Sequence, residues 1–195
     1  MRTILAALLA AFVVMIWSAV SWVVLPWHLM TMSTIPDGEA VVSVLSERLA
    51  EPGIYHYPGV PEEGGDARVE EAWAERYRRG PNIHFLAYSA EGFDPSNPWI
   101  YVRGFLLNVV AAFLAAALLA RAAPSLPRFG HRVLFVALVG GFAAVQTRLL
   151  DWNWWSFPLD YSLVMAVDLV VAWTLAGLVL AWRIGPATPV VGEAS

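Results

Sequence analysis

Four stretches of the chain are apolar with almost no charged interruption, and the remaining residues are arranged around them. The first, 4–25, runs for about 22 residues after Arg2, enough for one helical pass through a hydrocarbon core at about 20 residues per crossing. The others are 99–120, 133–150 and 161–182. This pattern predicts an α-helical integral membrane protein, a four-helix transmembrane bundle with a small α/β extracytoplasmic domain inserted between the first and second spans. Residues 1–25 form the first helix, 26–98 the inserted domain, 99–183 the other three spans and 184–195 a cytoplasmic tail. The first run also has marks of a cleaved signal peptide, with Arg2 ahead of it and small residues at Ala19-Val20-Ser21. Its continuation through Trp22-Val23-Val24-Leu25 favours a retained span.

Within 26–98 the pattern changes from continuous to periodic. Residues 37–50 place Val41, Val44, Leu45 and Leu49 at helical spacing behind Asp37, a residue suited to capping, and Pro52-Gly53 stops the run. A short aromatic strand, 54–57, precedes a Gly/Pro/Glu loop over 58–65. A second helix is expected from Asp66, with Val69, Trp73 and Tyr77 four residues apart and Gly80 as terminator, followed by a strand over 82–89.

Charge then fixes an orientation. The net charge of −4 conceals an uneven distribution, since most acidic residues lie between Pro26 and Pro98. The loop 121–132 carries Arg121, Arg128 and Arg132 and no acid, and Arg2 and Arg183 flank the outermost spans. Under the positive-inside rule these segments are cytoplasmic, so both termini lie inside and 26–98 outside. Trp22, Trp27, Trp99, Trp152, Trp154 and Trp155 then fall at the outer boundary, as an interfacial aromatic belt would. All twelve basic residues are Arg and Ala is abundant, a bias expected of a GC-rich bacterial genome and hence of a bacterial inner membrane. Composition removes several function classes. No Cys is present, which excludes disulfides and thiolate chemistry, and no basic patch is available for nucleic acid.

Ionisable and amide side chains inside spans are costly and so direct attention to function. Asn108 and Asp168 lie roughly 12–14 Å, and Gln146 and Arg148 about 4–8 Å, inside the outer boundary at about 1.5 Å per residue. Small residues every fourth position run with them: Gly104, Asn108, Ala112, Ala116 and Ala120; Asp168, Ala172 and Ala176; Gly140, Ala144 and Arg148. The spacing turns these polar groups into the bundle. An Arg148–Asp168 ion pair with Asn108 alongside is expected there, either fixing helix order or serving an ion path.

Two further constellations carry weaker chemistry. Asp151, Trp152, Trp154, Trp155 and Asp160 belong to a Trp-rich stretch between the last two spans, expected as an outer-face binding loop or an interfacial anchor. His28 with Met30 and Met32, joined by His56 and His84, offers imidazole and thioether ligands for a soft metal; packing of flexible Met side chains explains the same residues. Glu62, Glu63, Asp66, Glu70, Glu71 and Glu75 read as a solvated face, since Arg68, Arg76, Arg78 and Arg79 accompany them. No nucleophile elbow, HExxH, phosphate-binding or dinucleotide-binding glycine motif occurs, and no cofactor is implied. The expectation is a non-catalytic accessory or interaction subunit of a cell-envelope complex, with a membrane-protein partner or a second copy of itself. A small oligomeric ion-coupled permease and a sensor or lipid-binding protein are the alternatives.

Overall fold

The computed structural model describes residues 2–61 and 66–186. Glu62 and Glu63 of the acidic run, and the tail from 187 onward, lie outside the described residues. Two compact units are formed, one by Met1–Ser33 with Pro95–Ser195, the other by Thr34–Asp94.

The first unit contains four helices long and apolar enough to cross a membrane. Helix α1 spans Arg2–Ala19 and continues as a π-helical stretch, Val20–Val24. Three further spans follow the inserted segment, and we label them after its elements. In that segment α2 is Gly38–Arg48, β1 Gly53–Tyr57, α3 Ala67–Arg79 and β2 Ile83–Tyr88. The second span is α4, Pro98–Ala122. The third is α5, Phe129–Ala144, which passes through a second π-helical stretch, Val145–Leu149, into α6, Leu150–Trp155. The fourth is α7, Leu159–Arg183. In the bundle α1 packs on both α4 and α7, and α7 also packs on α5.

Small side chains set these seams. On α1, Ala6, Ala7, Ala10, Ala11 and Val14 are buried, a stripe that recurs at helical spacing and lets the neighbouring backbones approach. Its counterparts are Ala112, Ala115, Ala116 and Leu119 on α4 and Ala172, Ala176 and Leu180 on α7. The expected every-fourth-residue face of α4 drifts, because four residues advance a helix by more than one turn of 3.6. By the end of α4, Ala120 is exposed and Leu119 and Ala123 hold the seam. Against α7, α5 buries Arg132, Val136, Gly140 and Ala144, four residues apart throughout. A Cβ on Gly140 would lie 2.5 Å from Trp173 Cβ, and one on Gly177 3.1 Å from the Val133 carbonyl and from Val136 Cβ.

The third span is longer than the apolar run alone implied. It begins at Phe129 because Arg132, taken from sequence as a loop residue, is buried in the first turn of α5. Its guanidinium donates to the carbonyls of Leu126 and Pro127 at 2.9 Å and of Ala181 at 3.3–3.4 Å. An Arg at a span end thus satisfies one carbonyl in the last turn of α7 and two in the connection that precedes α5.

The Thr34–Asp94 unit follows the expected order of helix, strand, helix, strand. Strands β1 and β2 pair antiparallel, with Gly53 opposite Tyr88 and Tyr57 opposite Ile83 and an irregularity between Tyr55 and Tyr57. Asp66 caps α3 by accepting from the amides of Arg68 and Val69 at 3.0 and 3.1 Å. Asp37, expected to cap α2 in the same way, does not; its backbone is left-handed, with φ 49°, and its side chain makes no cap bond. Neither α2 nor α3 has a buried residue.

Candidate functional site

The bundle's concentrated polar chemistry lies where α1 ends against α7. Trp17 and Ser21 are four residues apart and continue the buried stripe of α1 toward its C-terminal end. The π-helical turn, closed by the Leu25 amide on the Val20 carbonyl at 3.0 Å, ends the helix. The chain then reverses at Pro26 into a short 3₁₀ turn, Leu29–Thr31, which folds Trp27 and His28 back over the helix end. This reversal explains why 26–33 clusters with the bundle although sequence grouped it with the inserted domain.

Asp168 projects from the middle of α7 into this corner. Trp17 Nε1 donates to its Oδ1 at 2.7 Å, and Ser21 Oγ lies 2.7 Å from the same oxygen. His28 Nε2 is 2.9 Å from Ser21 Oγ and 3.7 Å from Asp168 Oδ2. Trp27 Nε1 reaches the Ser21 hydroxyl at 3.0 Å and the Ser21 carbonyl at 3.2 Å. The Trp22 ring stacks on the imidazole, centroids 3.9 Å apart and planes within 2°. Ser21 and His28 are buried to 0% and 1% exposure.

Ser, His and Asp thus meet, but not in the wiring of a nucleophilic triad. There the acid holds Nδ1–H while the serine faces Nε2. Here Ser21 and Asp168 both approach Nε2, and Nδ1 is buried with no hydrogen-bond partner.

The sequence-predicted residues distribute around this corner unevenly. Asp168 is at its centre, but its partners are Trp17, Ser21 and His28, and no ion pair joins it to Arg148. The physical reason is the face of α7 that Asp168 occupies, which is turned to α1, whereas Arg148 belongs to the stretch packed on α7 from the α5 side. The Arg148 Nε is buried without a partner, and Gln146 is exposed. Asn108 lines a groove of about 580 Å³ between α1 and α4, together with Ser18, Trp22, Tyr101, Gly104 and Leu107. Asp151, Trp152, Trp154 and Trp155 stand on α6, a helical extension of the third span rather than a loop, and Trp154 is 72% exposed. Asp160 lies in the first turn of α7, where its carboxylate accepts from the Tyr161 amide at 2.9 Å.

The expected soft-metal ligands are divided between the two units. Met30 and Met32 are exposed while His28 faces inward to Ser21. In the other unit His84 Nδ1 lies 3.0 Å from the Tyr77 hydroxyl, and His56 is exposed. Among the described residues no three His, Cys, Asp or Glu side chains are grouped as a metal site requires.

Sequence reasoning missed Trp17, Ser21 and Trp27 as site residues and assigned His28 another role. A signal was present: Ser21 is a polar residue on the same stripe as Ala10, Val14 and Trp17, and a hydroxyl on the buried face of a span requires a partner. Compared with protein-family models, curated proteins and solved structures, the chain matches none of them.

Proposed function

We propose that the chain is a non-catalytic multi-pass subunit of a cell-envelope membrane complex, with the Thr34–Asp94 unit as its interaction module. The observation that carries this reading is α2. It buries none of its residues, and Val41, Val42 and Val44 are exposed, Val44 to 59%. A helix of about three turns with bare apolar side chains is marginal alone and gains stability chiefly by packing. The sheet has two strands among the described residues, and a sheet edge is where an extended partner segment adds. Both termini are taken as cytoplasmic and the module as extracytoplasmic, from the Arg distribution already described.

Two experiments test the reading. Purification of the full chain in mild detergent is expected to give a complex of larger mass, which Val42→Glu with Val44→Glu dissociates while the bundle remains folded. A lone monomer, unaffected by the double substitution, refutes it. Because the chain has no cysteine, a single cysteine at Ser89 is the sole thiol for a membrane-impermeant maleimide. Labelling from the outer face is expected, and labelling only after permeabilisation refutes the orientation.

A further inference from the structure

With the Trp27 indole N–H given to the Ser21 hydroxyl at 3.0 Å rather than to the Ser21 carbonyl at 3.2 Å, the hydrogen bonds at Ser21 take one of two arrangements. A serine hydroxyl has one proton to give and two lone pairs to receive with, and Ser21 Oγ has three close neighbours: Asp168 Oδ1, Trp27 Nε1 and His28 Nε2. The indole Trp27 Nε1–H can only donate, so it takes one lone pair. One proton and one lone pair remain for Asp168 and His28. Either the hydroxyl donates to an ionised Asp168 and accepts from His28 Nε2–H, or a protonated Asp168 donates to the hydroxyl, which donates to a bare Nε2.

When the pair holds one proton between carboxylate and imidazole, these arrangements interconvert without gain or loss. The Nε2–H bond breaks as Oγ takes that proton, and the Oγ–H bond breaks as Oδ1 takes the hydroxyl's proton. An imidazolium and a carboxylate become an imidazole and a carboxylic acid, while Nδ1–H is untouched. The single-proton state carries no net charge, whereas an uncompensated charge within a span is costly. Among the described residues no other charged group is bonded to the pair to supply that compensation. Arg103 and Tyr101 on α4, Arg148 and Asp151 on the stretch packed against α7, and Asp160 and Tyr161 at its start make no hydrogen bond or ion pair with Asp168 or His28.

We propose that Asp168, Ser21 and His28 form a proton-binding site inside the bundle, holding one exchangeable proton that the Ser21 hydroxyl passes between the carboxylate and the imidazole. The site differs from a purely structural bond network in having two hydrogen-bond directions of equal charge. It is independent of whether the Thr34–Asp94 unit binds a partner.

The test uses the full chain in phospholipid vesicles. Nitrogen NMR of labelled histidine reads protonation at each nitrogen of His28, and infrared difference spectroscopy reads the carbonyl stretch of a protonated carboxyl group. With pH fixed and temperature varied, loss of the Nε2 proton is expected to track growth of a carboxyl band that Asp168→Asn removes. Ser21→Ala is expected to uncouple the two signals and Ser21→Thr to restore the coupling. An Nε2 that keeps one protonation state throughout, or coupling unchanged in Ser21→Ala, overturns the proposal. If Ser21→Ala does not fold, the correlated wild-type signals and Ser21→Thr still decide the matter.

Discussion

Gly140→Ala tests whether the α5–α7 seam is set by backbone approach. The added Cβ would stand 2.5 Å from Trp173 Cβ, 3.0 Å from its Cγ and 3.2 Å from its Cδ1. The nearest of these is fixed to the α7 backbone, so no rotation of Trp173 relieves the clash. Reaching ordinary carbon contact of about 3.5–4.0 Å requires the helices to separate by about 1 Å. That shift loosens Val136 and Gly177 in the same seam, where a Cβ built on Gly177 would stand 3.1 Å from Val136 Cβ. Overpacking of this kind costs about 1–3 kcal/mol, and each 1.4 kcal/mol is about a tenfold change in the folded ratio. Gly141→Ala supplies the internal control, because a Cβ there meets nothing within 4 Å and the substitution gains helix propensity. Unfolding of both variants by denaturing detergent, followed through helical circular dichroism, compares them in one host. If Gly140→Ala is as stable as Gly141→Ala, the seam does not depend on close approach and the packing argument fails.

Three further outcomes follow from named contacts. Asp168→Ala strands the Trp17 Nε1–H donor, at about 1–3 kcal/mol for an unsatisfied group, and is expected to destabilise the bundle more than Asp160→Ala in the same detergent titration. Asp66→Ala removes the acceptor for two amides of α3 and is expected to cost about 0.5–2 kcal/mol, read as faster hydrogen exchange at Arg68 and Val69 with the bundle amides unchanged. Arg132→Met keeps a long apolar stem but no donor, leaving the Leu126, Pro127 and Ala181 carbonyls unmet; lower thermal stability than Arg128→Met is expected in a heating series.

Legibility in the sequence followed the range of the forces involved. The four spans and the helix-strand-helix-strand order depend on local periodicity and punctuation, and the four spanning helices and both strand elements of the inserted unit were readable within a few residues. Asp66 and Asp37 look alike in sequence yet only one caps, because capping requires an extended backbone that Asp66 has and Asp37, with its left-handed φ, lacks. Span ends were less legible where side chains, rather than hydropathy, decide them. Arg132 lengthens α5 by finding carbonyl acceptors, and Trp152, Trp154 and Trp155 prolong the same span as a helix. Pairings between spans were the least legible: depth and small-residue spacing placed Asp168 in the bundle but did not say which neighbour it faces.

That neighbour is α1, and the choice explains how a bundle cemented by alanine acquires a definite order. Dispersion between Ala-rich faces is nearly interchangeable among spans, because lipid and small side chains differ little in apolarity. The faces that α1 shares with α4 and α7 are lined by Ala6, Ala7, Ala10, Ala11, Ala112, Ala115, Ala116, Ala172 and Ala176, while the α5–α7 seam rests on Gly140 with Trp173 and Gly177 with Val136. Among the described residues, the end of α1 and the turn after it present to Asp168 an indole, a hydroxyl and a folded-back imidazole. A rotation of α7 by about 100°, one residue's turn, would bury that carboxylate against apolar side chains or expose it to lipid, at several kcal/mol. The same contacts hold the turn from which the chain runs on to Thr34, since His28 and Trp27 are fastened to Ser21. One hydroxyl therefore registers two helices and a turn together, and its substitution is expected to loosen all three before it alters the Ala-lined seam between α1 and α4.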